Sequence, residues 1–256
     1  MIFKCKVSAV VLLVIFVCLS CNDDLDEVYQ ATDKIVRSKL IKSIIVDSDD
    51  MESPKTYKFN YTEDNYLESF TDGNSGSVKM KYNKVDGSLV NFEEVAAKIF
   101  YVDFLFSAAY SGDYKGGEVF VKESDEEVGN PTVIKMILTE EDGTSKNSDI
   151  EISYDLSPNI YRPYLVAGGI VDAADKRSPL EGRGTYFTSK FLPTNNPSIL
   201  TYKNNSGDIE HYYSIQYAYD NKQRVTTVEI MHFDVTTGGS PEFTTVLYSY
   251  MDSAVK

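Results

Sequence analysis

The run Tyr213-Ser214-Ile215-Gln216-Tyr217-Ala218-Tyr219 sets a large side chain at every second position, with small or polar residues between. Side chains of an extended strand alternate between two faces, whereas a helix repeats every ~3.6 residues, so this run reads as a strand with one face buried. The same alternation recurs at Tyr57, Phe59 and Tyr61, at Val78, Met80 and Tyr82, and at Ile150, Ile152 and Tyr154. Turn signals separate such runs: Asp72-Gly73, Asp86-Gly87, Asp142-Gly143, Ser206-Gly207-Asp208 and Gly238-Gly239. Asp and Asn tolerate positive φ and Gly adopts it freely, which suits tight hairpin connections. Roughly a dozen strands joined mainly as hairpins make the expected fold mainly β, an antiparallel meander forming a strongly curved or barrel-like sheet.

Two stretches depart from the pattern. Phe92 to Lys98 follows Asn91, with Glu94 three residues on, the signature of a short capped helix. From Ser157 to Asn196 the residues Pro158, Pro163, Pro179 and Pro193 interrupt any strand, and Tyr164 to Lys176 is expected to hold one helix weakened by Gly168-Gly169. One or two short helices therefore accompany the sheet.

The first residues carry a different message. Lys4 and Lys6 precede the apolar run Val7 to Leu19, which is too short for a comfortable membrane span and reads as an export signal over residues 1–20. Small Ser20 precedes Cys21, and Asn22, Asp23, Asp24, Asp26 and Glu27 follow it. This arrangement resembles the lipobox of bacterial lipoproteins, which implies that Cys21 becomes the lipidated N-terminus. Cys5 and Cys18 lie within the signal, so cleavage leaves Cys21 as the single cysteine and no internal disulfide can form. Residues 21–39 then read as a polar lipidated tether and 40–256 as one β domain. Acyl chains contribute roughly 0.8 kcal/mol per buried CH₂, enough for a multiply acylated cysteine to hold a soluble domain at a membrane. The acidic residues after Cys21 also resemble a surface-export signal, which implies an outer-membrane, cell-surface location.

An internal repeat supports the hairpin reading. Phe59-Asn60-Tyr61-Thr62-Glu63-Asp64-Asn65-Tyr66-Leu67 aligns with Tyr217-Ala218-Tyr219-Asp220-Asn221-Lys222-Gln223-Arg224-Val225: aromatic, any residue, Tyr, a five-residue polar turn, then an apolar residue. Two further segments matter, Ile152-Ser-Tyr-Asp-Leu-Ser-Pro-Asn-Ile-Tyr and Thr194-Asn-Asn-Pro-Ser before the strand expected at Ile199 to Tyr202. In their order and spacing, from about Leu40 to Tyr250, these resemble a family of Bacteroidetes lipoproteins of unknown function with a porin-like fold and tyrosine-aspartate-repeat-like hairpins. The resemblance implies a curved antiparallel sheet and supplies no catalytic residues. This chain departs from the pattern where Asn65 and Gln223 stand in place of Gly, and where Pro158-Asn159 is inverted.

Composition narrows the chemistry. The chain has 25 basic and 39 acidic residues, a formal net charge of −14, and removal of Lys4 and Lys6 with the signal makes it more acidic. Nucleic acid is excluded as a partner, because phosphate binding needs a basic surface. Only two histidines are present, His211 and His232, with no Gly-x-Ser-x-Gly elbow and no His-Glu-x-x-His, so serine hydrolysis and a zinc motif are unsupported and both rings read as structural. Asp47-Ser48-Asp49-Asp50 lacks the glycine of a calcium loop and has Lys58 where the closing Glu belongs. The acidic run from Glu123 to Glu127 reads as a solvated loop. Gly116-Gly117 and Gly182-Arg183-Gly184 lack a phosphate-loop lysine, and Asp252-Ser253-Ala254 resembles an O-glycosylation tripeptide. No catalytic residue, metal site or cofactor is expected. Tyr101, Tyr110, Tyr114, Tyr161, Tyr164 and Tyr186 fall outside the stripes, as candidates to stack on a glycan or protein ligand or as packing residues. The favoured reading is a non-enzymatic binding module anchored to the membrane through Cys21. The alternative is a glycan-processing hydrolase using paired carboxylates.

Overall fold

The computed structural model describes residues 39–72, 76–100, 114–125, 129–140, 143–176 and 188–251. The expected export signal, Cys21 and all of the expected tether but Lys39 lie outside these residues, as do Tyr101, Tyr110, Tyr186 and Asp252-Ser253-Ala254.

Ile41 to Tyr250 form one compact unit. Its strands are β1 (Ile41–Ser48), β2 (Lys55–Tyr61), β3 (Leu67–Asp72), β4 (Ser77–Lys79), β5 (Tyr114–Asp125), β6 (Asn130–Glu140), β7 (Ser145–Pro158), β8 (Asn195–Lys203), β9 (Ile209–Tyr219), β10 (Val225–Asp234) and β11 (Glu242–Tyr250). They make one 11-stranded sheet in the order β4-β3-β2-β1-β11-β10-β9-β8-β7-β6-β5. The antiparallel meander is as the alternation requires, and the first strand closes on the last through the register Ile44↔Tyr248 and Val46↔Val246.

Parity then governs the edges. Every neighbouring pair is antiparallel, so directions alternate and the two edge strands of an 11-strand order run the same way. An antiparallel ladder between β4 and β5 is therefore barred by geometry, and none joins them among the described residues. Residues 80–100, which follow β4, contain helix α1 (Phe92–Ala96).

One face of the sheet carries the core: Ile44 and Val46, Phe59, Phe70, Ile134 and Met136, Ile150, Leu200, Val228 and Val246 are all buried. The helices pack on this side, with Phe92 and Val95 of α1 fully buried. The single helix expected at Tyr164 to Lys176 is two, α2 (Arg162–Ala167) and α3 (Ile170–Asp175), so the chain has three short helices among its described residues. Gly169 sits at φ +62°, which ends one helix and starts the next, while a Cβ on Gly168 would stand 3.3 Å from Leu67 of β3. The Asn91 side chain does not cap α1. Instead its Nδ2 donates to Lys79 O and Glu94 Oε2, and its Oδ1 accepts from Lys81 N, tying the helix start to the exit of β4.

The repeat is real in three dimensions. Thr62 N donates to Tyr66 O and Asn65 N to Thr62 O, and likewise Asp220 N to Arg224 O and Gln223 N to Asp220 O. Asn65 and Gln223 occupy the same place in their turns, at φ 65° and 60°. A third copy joins β8 to β9: Asn204 N donates to Asp208 O, Gly207 N to Asn204 O, and Gly207 has φ 85°. In each, the first side chain, Thr62, Asn204 or Asp220, accepts the backbone N–H four residues on. Asp220 also holds Arg224 by a 2.6 Å ion pair, and Arg224 lies over the Tyr250 ring at 4.6 Å.

Candidate functional site

Several tyrosines lie in or against the core, and the protein itself engages their hydroxyls. Tyr61 donates to Ile41 O at 3.0 Å, Tyr82 to Leu67 O at 2.7 Å, Tyr217 to Pro197 O at 2.7 Å and Tyr250 to Val225 O at 2.8 Å. Tyr164 donates to Phe100 O, and the Tyr161 and Tyr248 hydroxyls meet at 2.7 Å. Two tyrosines read from sequence as ligand-facing candidates, Tyr161 and Tyr164, are 2 % and 0 % exposed, so they belong to the core. The reason is the proline-bounded segment: α2 lays both rings on the sheet, Tyr164 against Phe59 at 5.1 Å and Tyr161 against Tyr248 at 6.4 Å. Burial raises the pKa of Tyr82 to about 12 and lifts Tyr61, Tyr248 and Tyr250 as well.

The segments around Pro158 and Thr194 have a structural task. Asn130 Oδ1 accepts from Thr194 N and Asn195 N, Asn196 Oδ1 accepts from Ile160 N, and Asn159 Oδ1 accepts from Tyr161 N. Buried asparagines thus lock the start of β6, the end of β7, the start of β8 and the entrance of α2. Strand β8 begins at Asn195, earlier than the Ile199 expected, because these side chains satisfy the backbone around Pro197.

The acidic candidates do not form a site. Asp49 Oδ2 accepts from Phe243 N at 3.0 Å, joining the Asp47–Asp50 turn to β11. Glu123 lies exposed on β5, and Glu126 and Glu127 fall outside the described residues. Among the described residues, the carboxylates with a displaced pKa, Asp86, Glu94, Asp220 and Asp234, are all lowered, chiefly by hydrogen bonds to their charged forms. None of these four is held protonated, as a glycosidase acid must be.

Chemistry concentrates where the sequence offered only two isolated rings. His211 is opposite Tyr202 on β8 and Asp234 on β10, while His232 is opposite Tyr213 on β9 and Glu242 on β11. These are diagonal positions on the core side, and they bring His232 Nε2 to 3.3 Å from His211 Nδ1. His232 Nδ1 lies 3.1 Å from Glu242 Oε2, and His211 Nδ1 is 4.0 Å from Asp234 Oδ1. Tyr213 stacks on His232 with ring centroids 4.4 Å apart and planes 9° apart, and Tyr202 meets His211 edge-on at 6.0 Å. Lys146 of β7 reaches Glu210 at 3.6 Å beside them. Both histidine side chains are partly exposed, 16 % and 22 %.

The His211 imidazole is held below its ordinary pKa, first by burial and then by repulsion from His232, with Asp234 opposing. Asp234 is kept ionised by the Thr236 N–H and hydroxyl and the Thr237 N–H, all of which donate to Oδ1. No set of three or more His, Cys, Asp or Glu side chains is assembled closely enough to hold a metal among the described residues. The pair was illegible in the sequence because the two rings are 21 residues apart and meet only through the β9–β10 register.

No family model matches the chain, and no curated protein matches it. Among solved structures, the chain is similar to a porin-like protein from Bacteroides vulgatus ATCC 8482. The identity is 11 %, over 82 % of this chain and 98 % of that one, with a TM-score of 0.42. A porin-like protein from Bacteroides uniformis ATCC 8492 is 13 % identical over 82 % of this chain and 97 % of that one, with a TM-score of 0.33.

Proposed function

We propose that this protein is a lipid-anchored envelope protein, tethered through Cys21, whose β domain works in water as a non-enzymatic binding module. The observation that carries this reading is the charge lattice on the face of the sheet opposite the core. Lys122 and Lys135 both pair with Asp149, at 2.9 and 3.9 Å, and Lys203 pairs with Glu151 at 2.6 Å, spanning β5 to β8. Lys or Arg on the lipid face of a transmembrane strand costs roughly 2–4 kcal/mol at the bilayer midplane. A sheet with this outer face is stable against water, so membrane attachment falls to the acyl chains on Cys21. The hydrolase reading has no such support among the described residues, where each carboxylate with a displaced pKa is moved the wrong way for a general acid.

Metabolic labelling with a clickable fatty acid, followed by fractionation, tests the anchor. The wild-type chain is expected to carry the label and sediment with membranes, and Cys21→Ser to lose the label and enter the soluble fraction. An unlabelled wild-type chain, or a Cys21→Ser chain still resisting extraction, would overturn it. Protease treatment of intact cells tests surface exposure, with digestion the expected result and full protection the contrary one.

A further inference from the structure

We propose that His211 and His232 together bind one divalent ion of borderline softness, Zn²⁺, Ni²⁺ or Cu²⁺, between His211 Nδ1 and His232 Nε2, with water completing its shell. The two nitrogens are 3.3 Å apart. Zn–N bonds of about 2.0–2.1 Å in tetrahedral geometry place two ligand nitrogens about 3.3–3.4 Å apart, so the spacing needs no rearrangement of the strands.

The surroundings are those of a metal-binding histidine. Glu242 Oε2 lies 3.1 Å from His232 Nδ1, where it accepts that N–H and leaves the Nε2 lone pair facing His211. A carboxylate behind the ring in this way fixes the tautomer and raises the basicity of the ligating nitrogen. The rings are also held in place, His232 by the stacked Tyr213 and His211 by the edge of Tyr202. Binding moves the His211 proton from Nδ1 to Nε2 and needs no oxidant or other reactant.

Charge favours a cation. Asp234, Glu242 and Glu210 surround the pair, against the ammonium of Lys146, which Glu210 engages. Asp234 Oδ1, 4.0 Å from His211 Nδ1, is farther than a coligand would sit and is engaged by Thr236 and Thr237. It acts on the ion through its field. Two imidazoles with no third protein ligand among the described residues make an open site that keeps several waters, which the partial exposure of both rings allows. Imidazole suits Zn²⁺, Ni²⁺ and Cu²⁺, whereas Mg²⁺ and Ca²⁺ require oxygen donors.

Titration calorimetry of ZnCl₂ into the untagged, chelator-treated full-length lipoprotein in detergent is the test. One saturable site per chain is expected, with no saturable heat from MgCl₂ or CaCl₂. His211→Gln and His232→Gln should each weaken binding at least about tenfold, and Glu242→Gln about tenfold through the lost orientation of His232. Because the chain has only two histidines, diethylpyrocarbonate modification followed at 240 nm reports on this pair alone in the folded wild type. Saturating Zn²⁺ should protect both rings. Absence of a saturable zinc site, zinc binding undiminished in the His211→Gln/His232→Gln chain, or modification unaffected by zinc would each overturn the proposal.

Discussion

The α2 tyrosines and the β9–β10 histidines lie on the same side of one sheet, yet they are finished in opposite ways. Around α2 the polar atoms close on the protein: Tyr164 donates to Phe100 O, Tyr161 meets Tyr248, and both rings are buried. At the histidines, polar atoms close on one another and keep part of their surface in water. A buried hydroxyl with its bond made contributes stability and little reactivity, whereas a partly exposed ring with a paired neighbour retains a lone pair for a visitor. Burial in one region and exposure in the other therefore separate scaffold from site, although both are built from aromatic residues at alternating strand positions.

The comparison breaks most visibly in the core. Phe59→Ala removes a ring packed on Phe70 and Tyr164, and is expected to cost about 3–5 kcal/mol in urea unfolding. His211→Gln should change stability by about 1 kcal/mol or less, and equal losses for the two would erase the distinction.

Alkaline titration sharpens it further. The folded pKa of Tyr82 is raised to about 12, and those of Tyr61, Tyr248 and Tyr250 are raised too, so their neutral forms favour folding. The stability they contribute is complete below the unfolded value near 10 and is lost as pH rises through the folded values. Absorbance at 295 nm should show these tyrosines ionising late, together with loss of near-ultraviolet circular dichroism. Ionisation of all tyrosines near pH 10 with the fold intact would refute the burial argument.

A smaller effect is expected at the Tyr161–Tyr248 contact. Tyr161→Phe strips the buried Tyr248 hydroxyl of its 2.7 Å bond and should cost about 1–3 kcal/mol, with Tyr161→Phe/Tyr248→Phe recovering part of the loss. Thermal unfolding of the three variants measures this. Smallest of all, Gln223→Gly should stabilise the fold by up to about 1 kcal/mol, since Gln is strained at φ 60°. Asn65→Gly should gain less, because Asn tolerates that conformation. A loss at Gln223→Gly would show that its side chain does more than occupy the turn.

The aromatic alternation was enough to reveal the sheet, because a strand's period survives any tertiary context that buries one face. The repeat was legible too, down to the departures at Asn65 and Gln223, which fall on the one turn position with positive φ. Its third copy hid because Asn204 to Asp208 lacks the flanking Tyr-x-Tyr. For Tyr161 and Tyr164 the sequence left ligand contact and packing both open, and packing holds because α2 lays the two rings on the core. The histidine pair and the charge lattice were out of reach for a shared reason. Each depends on which residue of one strand stands beside which residue of the next, and one step of register moves every side chain to the other face.

The pairing of Ile41 with Tyr250 has an engineering corollary. The first and last strands are neighbours, so a linker of about four residues could join them as a hairpin, and the chain could be reopened at the Asn204–Asp208 turn. Such a circular permutant keeps every ladder but exchanges the closing pair: β1–β11 becomes a local hairpin, and β8–β9 becomes the pairing of longest sequence separation. Folding rate follows the mean sequence separation of contacts, so the rearranged protein should reach the same native state at a similar rate while its closing pair forms elsewhere in the sheet.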